Sequence, residues 1–351
     1  MVELVHTLLN LTAPTFTFFS LLFFYPPFLF FRFFQSILST IFSENIAGKV
    51  VLITGASSGI GEHLAYEYAI RGACLALVAR REDRLRDVVE QAREIGSPDV
   101  LMIRADVSKV EDCKRIVDET TDHFGRLDHL VNNAGISGVS MFEEISDITA
   151  LRGLMDTNFW GSAYTTRFAI PHLKRSRGKI VVLSSSASWL PAPRMSIYNA
   201  SKAALFMLFE TLRVELGPDI NITIVTPGYI ESELTQGKFL DKEGKMIFDP
   251  DLRDVQISAI PIRTVRSCAK AIVKSALRGQ RYLTEPAWFK VTYIWKVACP
   301  EIIELGFRLF FLTRPGAEAT EAPSKKILDF TGAKNVLYPS TLQAPQEDKT
   351  D

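Results

Sequence analysis

Val50-Val51-Leu52-Ile53-Thr54-Gly55-Ala56-Ser57-Ser58-Gly59-Ile60-Gly61 decides the fold, because it joins an apolar strand, a glycine-rich turn and a helical pattern running from Glu62 to Arg71. Glycines in such a turn let the backbone approach a pyrophosphate, whose charge then sits at a helix N-terminus where N–H groups point outward. The spacing is GxxxGxG rather than GxGxxG, so the strand–turn–helix context carries the reading of a dinucleotide site.

A second strand, Leu75-Ala76-Leu77-Val78, ends at Ala79-Arg80-Arg81. An acid at this strand end would meet the ribose hydroxyls of NAD, whereas an Arg accommodates a 2′-phosphate. No acid stands at Ala79 or Arg80, so the expected cofactor is NADP(H), with Arg80 as its contact; Arg81 and Arg84 read as the solvated start of the next helix. The alternation continues through a strand over 100–104 ending at Ala105-Asp106-Val107, a helix from Ser108 to Phe124, and His129-Leu130-Val131 leading into Asn132-Asn133-Ala134-Gly135. A long helical stretch from Leu151 to Lys174 carries Asn158. A strand over 179–183 then ends at Ser184-Ser185-Ser186, a helix from about Ser196 to Leu216 carries Tyr198 and Lys202, and a strand over 221–225 reaches Thr226-Pro227-Gly228. Strands spaced by helices predict the α/β class, a Rossmann-type doubly wound parallel sheet covered on both faces. Each polar cluster falls at a strand's carboxyl end, where such sheets open their binding crevice.

Within Tyr198-Asn199-Ala200-Ser201-Lys202, an i, i+4 spacing on a helix puts the phenol and the ammonium on one face. A phenol near its ordinary pKa of about 10 is a poor acid or base at neutrality, and a neighbouring cation favours its ionised form. The pair is therefore a candidate proton-transfer device. His63, His123, His129 and His172 sit in helical or strand pattern and read as structural.

The 351 residues suffice for one large domain with appendages. Lys+Arg and Asp+Glu are equal at 40 each, so nothing points to nucleic acid. Four cysteines, Cys74, Cys113, Cys268 and Cys299, lie far apart without His at ligand spacing, so no metal site is expected. Many of the 24 Phe crowd into the first 42 residues, and the 25 residues from Thr7 to Phe31 carry no charge. A run longer than about 20 apolar residues is a membrane or lipid candidate. A cleavable signal is a poor fit, since Glu3 precedes the run and no Lys or Arg does. Pro14, Pro26 and Pro27 divide the run and predict a hairpin or kinked anchor over residues 1–43 that suits a bilayer or a lipid-droplet monolayer, with Arg32 obliged to snorkel. The catalytic domain is expected over 44–313, with an irregular substrate lid over 230–265. An aromatic-rich element over 286–313 reads either as a lipid contact or apolar mouth, or as a helix packed on the core or a partner. Residues 314–351 are expected to be a flexible tail.

TGASSGIG at 54–61, NNAG at 132–135, Asn158, Ser185 thirteen residues before Tyr198, YNASK at 198–202 and PG at 227–228 together resemble the short-chain dehydrogenase/reductases over roughly Lys49 to Leu283. Ser232, where many relatives carry Thr, is the one departure, and a hydroxyl is kept. The proline-broken anchor, Pro227-Gly228-Tyr229-Ile230-Glu231-Ser232 and the late Thr284-Glu285-Pro286 are similar to the steroleosin group, plant oil-body proteins that resemble 11-beta-hydroxysteroid dehydrogenases. The resemblance implies Tyr198 as general acid/base, Lys202 as the group that lowers its pKa and reaches the nicotinamide ribose, Ser185 as the hydrogen-bond partner of the substrate oxygen, and Asn158 as the holder of a relay water. It implies cofactor contacts from the 54–61 turn, Arg80, Asp106, Val107, the 132–135 turn, Tyr198, Lys202, Pro227, Ile230 and Ser232. It further implies a sterol or steroid alcohol or ketone as substrate, residence on lipid droplets or endoplasmic reticulum with the catalytic domain facing the cytosol, and a homodimer through the helices starting near Leu151 and Ser196. A lipid-droplet coat or sterol-binding protein with an idle fold, and a reductase of another apolar lipid such as a retinoid, are the competing readings.

Overall fold

A computed structural model describes residues 1–41, 43–314 and 316–343, and they form two compact units, one ending at Asn45 and one beginning at Ile46. The first unit is one helix, α1 (Val2–Ile41), that runs through Pro14, Pro26 and Pro27. The expected hairpin is thus corrected: each proline forgoes one N–H bond, but the residues between them keep theirs, and unpaired backbone in an apolar run is the costlier alternative. Hydroxyls of Thr7 and Thr12 donate to the carbonyls of Glu3 and Leu8 along the same helix. Arg32 lies over the Phe28 ring, 5.8 Å from its centroid. Among the described residues this is the one helix long and apolar enough to cross a membrane. At ~1.5 Å per residue it far exceeds a hydrocarbon core of about 30 Å.

The second unit is built on a seven-stranded sheet. In chain order its elements begin β1 (Val50–Thr54), α2 (Gly59–Ala69), β2 (Cys74–Ala79), α3 (Glu82–Glu94), β3 (Val100–Arg104), α4 (Val110–Phe124) and β4 (His129–Asn132). They continue with α5 (Arg152–Met155), α6 (Gly161–Ser176), β5 (Lys179–Leu183), α7 (Ser196–Leu216) and β6 (Asn221–Pro227). Then follow α8 (Glu233–Gln236), the hairpin β7 (Lys238–Leu240) and β8 (Met246–Phe248), α9 (Pro250–Ile257), α10 (Val265–Leu277) and β9 (Tyr282–Glu285). Last come α11 (Lys290–Ala298), α12 (Pro300–Phe311), α13 (Pro323–Thr331) and α14 (Lys334–Leu337). The sheet runs β3-β2-β1-β4-β5-β6-β9, and every pairing in it is parallel.

The strands read as unbroken apolar runs because both faces are covered. On β1, Val51 and Ile53 join the core with Leu64 and Tyr68 of α2 and Ile272 of α10, while Val50 and Leu52 join the opposite core with Ile116 of α4 and Phe209 of α7. Chain direction across the sheet reverses between β1 and β4, so the carboxyl ends part there and open a crevice.

The expected flexible tail is corrected over its described part, while Pro315 and residues 344–351 of that segment lie outside the described residues. Leu328, Tyr338 and Leu342 are buried with Ile257 and Ile262 of the lid. Polar contacts reinforce the seam: Ser324 Oγ donates to Val255 O at 3.0 Å, Tyr338 Oη to Ser258 O at 3.0 Å, and Lys334 Nζ meets Asp254 Oδ2 at 2.7 Å. Asp254 also pairs with Arg253 at 2.7 Å, both buried. The C-terminal segment is therefore a strap across α9 and the residues that follow it, and its removal leaves the Arg253–Asp254 pair without Lys334. Truncation after Ala322 is expected to preserve the far-UV spectrum of the sheet domain and to speed amide exchange in α9 about tenfold or more, as losing one or two buried hydrogen bonds would. Unchanged α9 protection would contradict the strap.

Candidate active site

The glycine turn is fixed from the β4 side. Asn133 Nδ2 donates to Thr54 O and Gly55 O, both at 3.0 Å, and the Asn133 and Ala134 N–H groups donate to Thr54 Oγ1 at 3.1 and 3.2 Å. The approach leaves no room for side chains: a Cβ on Gly55 would lie 2.7 Å from Ala134 Cα, and one on Gly61 2.2 Å from Gly55 O. Gly55 also holds a φ of +67°, which other residues rarely adopt. Thr54, Ala56, Gly61 and Asn132 build this junction without lining the crevice. Asn132 turns away, donating to Thr166 Oγ1 at 2.8 Å.

Gly55, Ser57, Ser58, Gly59, Ile60, Arg80, Asp106, Val107, Asn133, Ala134, Gly135, Ser185, Tyr198, Lys202, Pro227, Ile230 and Ser232 all face one cavity of about 980 Å³. That size is near the upper end for small-molecule sites, about 300–1,000 Å³, and leaves space beside a dinucleotide for a second ligand. Asp106 is oriented by Ser108, whose N and Oγ donate to Oδ1 at 3.1 and 2.9 Å.

Ser185 and Tyr198 both line the cavity, and Ser185 Oγ donates to Pro227 O at 3.5 Å. Ser185 is itself held at the end of β5 by accepting from Ala187 N at 3.1 Å. Lys202 Nζ donates to Leu183 O at 2.9 Å and lies 5.9 Å from the Tyr198 ring centroid. Asn158 sits in a π-type turn, Asp156–Trp160, inserted between α5 and α6 where an unbroken helix was expected. Such bulges re-aim side chains at functional sites. Its Nδ2 donates to Ile136 O at 2.9 Å and Ser201 Oγ at 3.0 Å, and its Oδ1 accepts from Ile136 N at 2.8 Å. Gly135 is the point where Asn158 and Lys202 converge: a Cβ there would lie 3.2 Å from Asn158 Oδ1 and 3.3 Å from Lys202 Nζ.

Burial dominates the electrostatics. It pushes the Tyr198 phenol up, with the Ser185 hydrogen bond pulling the other way, and it brings the Lys202 ammonium down to about 8. In the chain by itself, burial outweighs any lowering of the phenol. What it produces is a buried pair with the phenol raised and the ammonium lowered, beside which added charge acts strongly.

Two features were not legible in the residue pattern, and a third bears on one of its two readings of residues 286–313. Arg81 is drawn into the site, its Nη2 donating to Ser58 Oγ at 2.8 Å, while Arg80 is exposed at the rim. Tyr229 lines the cavity, donating to Gln256 O at 2.7 Å, and Phe289 lies so close to Gly228 that a Cβ there would be 2.6 Å from its ring. The 286–313 element forms the apolar mouth: Trp288, Ile302, Phe307 and Phe310 line the cavity, yet neither α11 nor α12 has a fully buried residue, and Ile294 and Leu309 are exposed.

The Lys202 pKa carries a signed consequence. Its folded value of about 8 lies below the ordinary 10.5, so between these values the unfolded chain holds more protons and stability rises with pH. Measured by urea unfolding at pH 7, 8.5 and 9.5, the wild type is expected to gain stability relative to Lys202→Met as the pH rises. A constant difference would show that Lys202 is not so perturbed.

A profile described as "short chain dehydrogenase" matches residues 49–243. The chain is 65% identical over 344 residues to 11-beta-hydroxysteroid dehydrogenase A of Sesamum indicum, covering 98% of this chain and 99% of that one. It is 63% identical over 344 residues to 11-beta-hydroxysteroid dehydrogenase 1A of Arabidopsis thaliana, with the same coverage. Among solved structures it resembles a dehydrogenase/reductase of Sinorhizobium meliloti, with a TM-score of 0.61 at 31% identity over 71% of this chain and 97% of that one. It also resembles an alcohol dehydrogenase of Thermococcus sibiricus complexed with 5-hydroxy-NADP, with a TM-score of 0.56 at 29% identity over 67% of this chain and 94% of that one. The chain belongs to the short-chain dehydrogenase family, as an 11-beta-hydroxysteroid dehydrogenase-like enzyme of steroleosin type.

Proposed function

We propose that the enzyme moves a hydride between NADP(H) and a hydroxysteroid or sterol-like alcohol or ketone at a lipid surface, with Tyr198 as the general acid/base. The observation that carries this reading is that one cavity is lined by the glycine turn and Arg80, by Ser185 and Tyr198, and by Trp288, Phe307 and Phe310. A rigid apolar body with one reacting oxygen suits such a space, since burial against aromatic walls supplies affinity while a hydroxyl pair fixes the oxygen.

A bound nicotinamide dinucleotide supplies the hydride carrier and, when oxidised, a positive charge. Ser185 donates to or accepts from the substrate oxygen. Tyr198 exchanges the proton with that oxygen, donating when a ketone is reduced and accepting when an alcohol is oxidised. Lys202, held against Leu183 O, places a cation beside the phenol when protonated and returns the proton toward Asn158. Both amide hydrogens of Asn158 are committed, so a relay water there would be held through its oxygen atoms. A bare sterol-binding role would leave no use for a buried cation beside a buried phenol, an arrangement that costs stability.

The names of the Sesamum and Arabidopsis relatives support a steroid over another apolar lipid. The apolar α1 and the exposed faces of α11 and α12 each support residence at a lipid surface, such as a lipid droplet or endoplasmic reticulum membrane. Exposed Trp160 beside α6 and exposed Met207 and Val214 on α7 support a homodimer through these helices.

Tyr198→Phe is expected to keep NADP+ binding by calorimetry and to lose about 10²-fold or more of kcat with a steroid alcohol, the usual scale of acid–base catalysis. Full turnover would remove Tyr198 from the role. Arg80→Asp is expected to lower the preference for NADP+ over NAD+ in kcat/KM, and an unchanged ratio would remove Arg80 from cofactor selection.

A further inference from the structure

We propose that Glu233 is a built-in competitor of the cofactor's 2′-phosphate, occupying Arg81 across the mouth of the dinucleotide cleft until a phosphate-bearing ligand displaces it. The inference rests on the NADP reading above and deepens it. Arg81 leaves the end of β2 and places its guanidinium between the glycine turn and the lid: Nη2 donates to Ser58 Oγ at 2.8 Å and Ser57 Oγ at 3.3 Å, while Nη1 donates to Glu233 Oε1 at 2.6 Å. Arg84 reaches the same carboxylate oxygen at 3.4 Å. Ser57, Ser58, Arg80, Arg81 and Glu233 all line the cleft.

Guanidinium groups flanked by hydroxyls are the donor set that recognises a dianionic phosphate. Glu233 brings a single negative charge to Arg81 and Arg84, with Arg80 exposed alongside, so the cluster carries an excess of positive charge that one carboxylate does not balance. The nearest acid on α3, Glu82, is engaged with Arg86 and Arg104. Arg81 and Glu233 are both about a quarter exposed or more, at 30% and 26% of the side chain, and partly exposed pairs contribute little stability. A weak, half-wet contact is one that a dianion can replace. Glu233 opens α8 of the lid, directly after Ser232, whose Cβ is 3.4 Å from the site of a Cβ on Gly59. Exchange at Arg81 therefore releases the start of the lid from the glycine turn, linking cofactor capture to lid position.

The test titrates NADP+ and NAD+ separately into the full-length protein and its Glu233→Gln and Arg81→Gln variants by calorimetry at one ionic strength. The wild type binds NADP+ the more tightly; Glu233→Gln tightens NADP+ by about threefold or more and leaves NAD+ unchanged; Arg81→Gln weakens NADP+ about tenfold and leaves NAD+ unchanged. NAD+ binding reports in each variant that the cleft is folded. NADP+ affinity unchanged or weakened in Glu233→Gln overturns the competitor role, and a parallel change for NAD+ does the same by assigning the effect to the lid alone. Unchanged NADP+ affinity in Arg81→Gln removes Arg81. A wild type that does not prefer NADP+ overturns the cofactor reading itself, which separates that failure from failure of the competitor.

Discussion

The stitch between Asn133 and the β1 turn is the constraint on which the site depends. Two neighbouring strands end at the sheet's reversal point, and their backbone groups must be satisfied without closing the crevice. Asn133 does this by giving both amide hydrogens to Thr54 and Gly55 carbonyls, while Thr54 returns a hydroxyl to the Asn133 and Ala134 N–H groups. The exchange is tight enough to exclude a Cβ at Gly55 and Gly61. It holds the glycine turn open for a dinucleotide and, through Gly135, sets where Lys202 and Asn158 meet.

From that fixed floor the chemistry follows by burial. Tyr198 and Lys202 are buried, and burial opposes ionisation of both, raising the phenol and bringing the ammonium to about 8. Low dielectric makes any further charge more effective than it would be in water.

Much of this was legible in the sequence because the physics is local. Strands such as 50–54 and 179–183 are apolar runs ended by polar clusters, and a parallel sheet forces those ends to one edge. The failures share a cause, which is tertiary context. Arg81 reads as a solvated helix start until Glu233, 152 positions away, meets it. The tail has no period because its apolar residues face both ways, with Leu328 buried and Phe330 92% exposed. The π-type turn at Asn158 leaves no mark in hydropathy. In α1 three prolines allowed a hairpin, where one continuous helix is found.

The aromatic mouth connects the two ends of the account, since Phe289 packs against Gly228 of the cofactor edge while Trp288 lines the space beyond Tyr198. The central claim is that this single cavity brings an apolar alcohol's carbon to a nicotinamide beside the Tyr198 hydroxyl. The most direct measurement follows a deuterium placed on the carbinol carbon of a hydroxysteroid during incubation with the purified enzyme and NADP+. The account predicts NADPH one mass unit heavier, formed in step with the steroid ketone. Ketone without label in the dinucleotide, or no ketone at all, would contradict it.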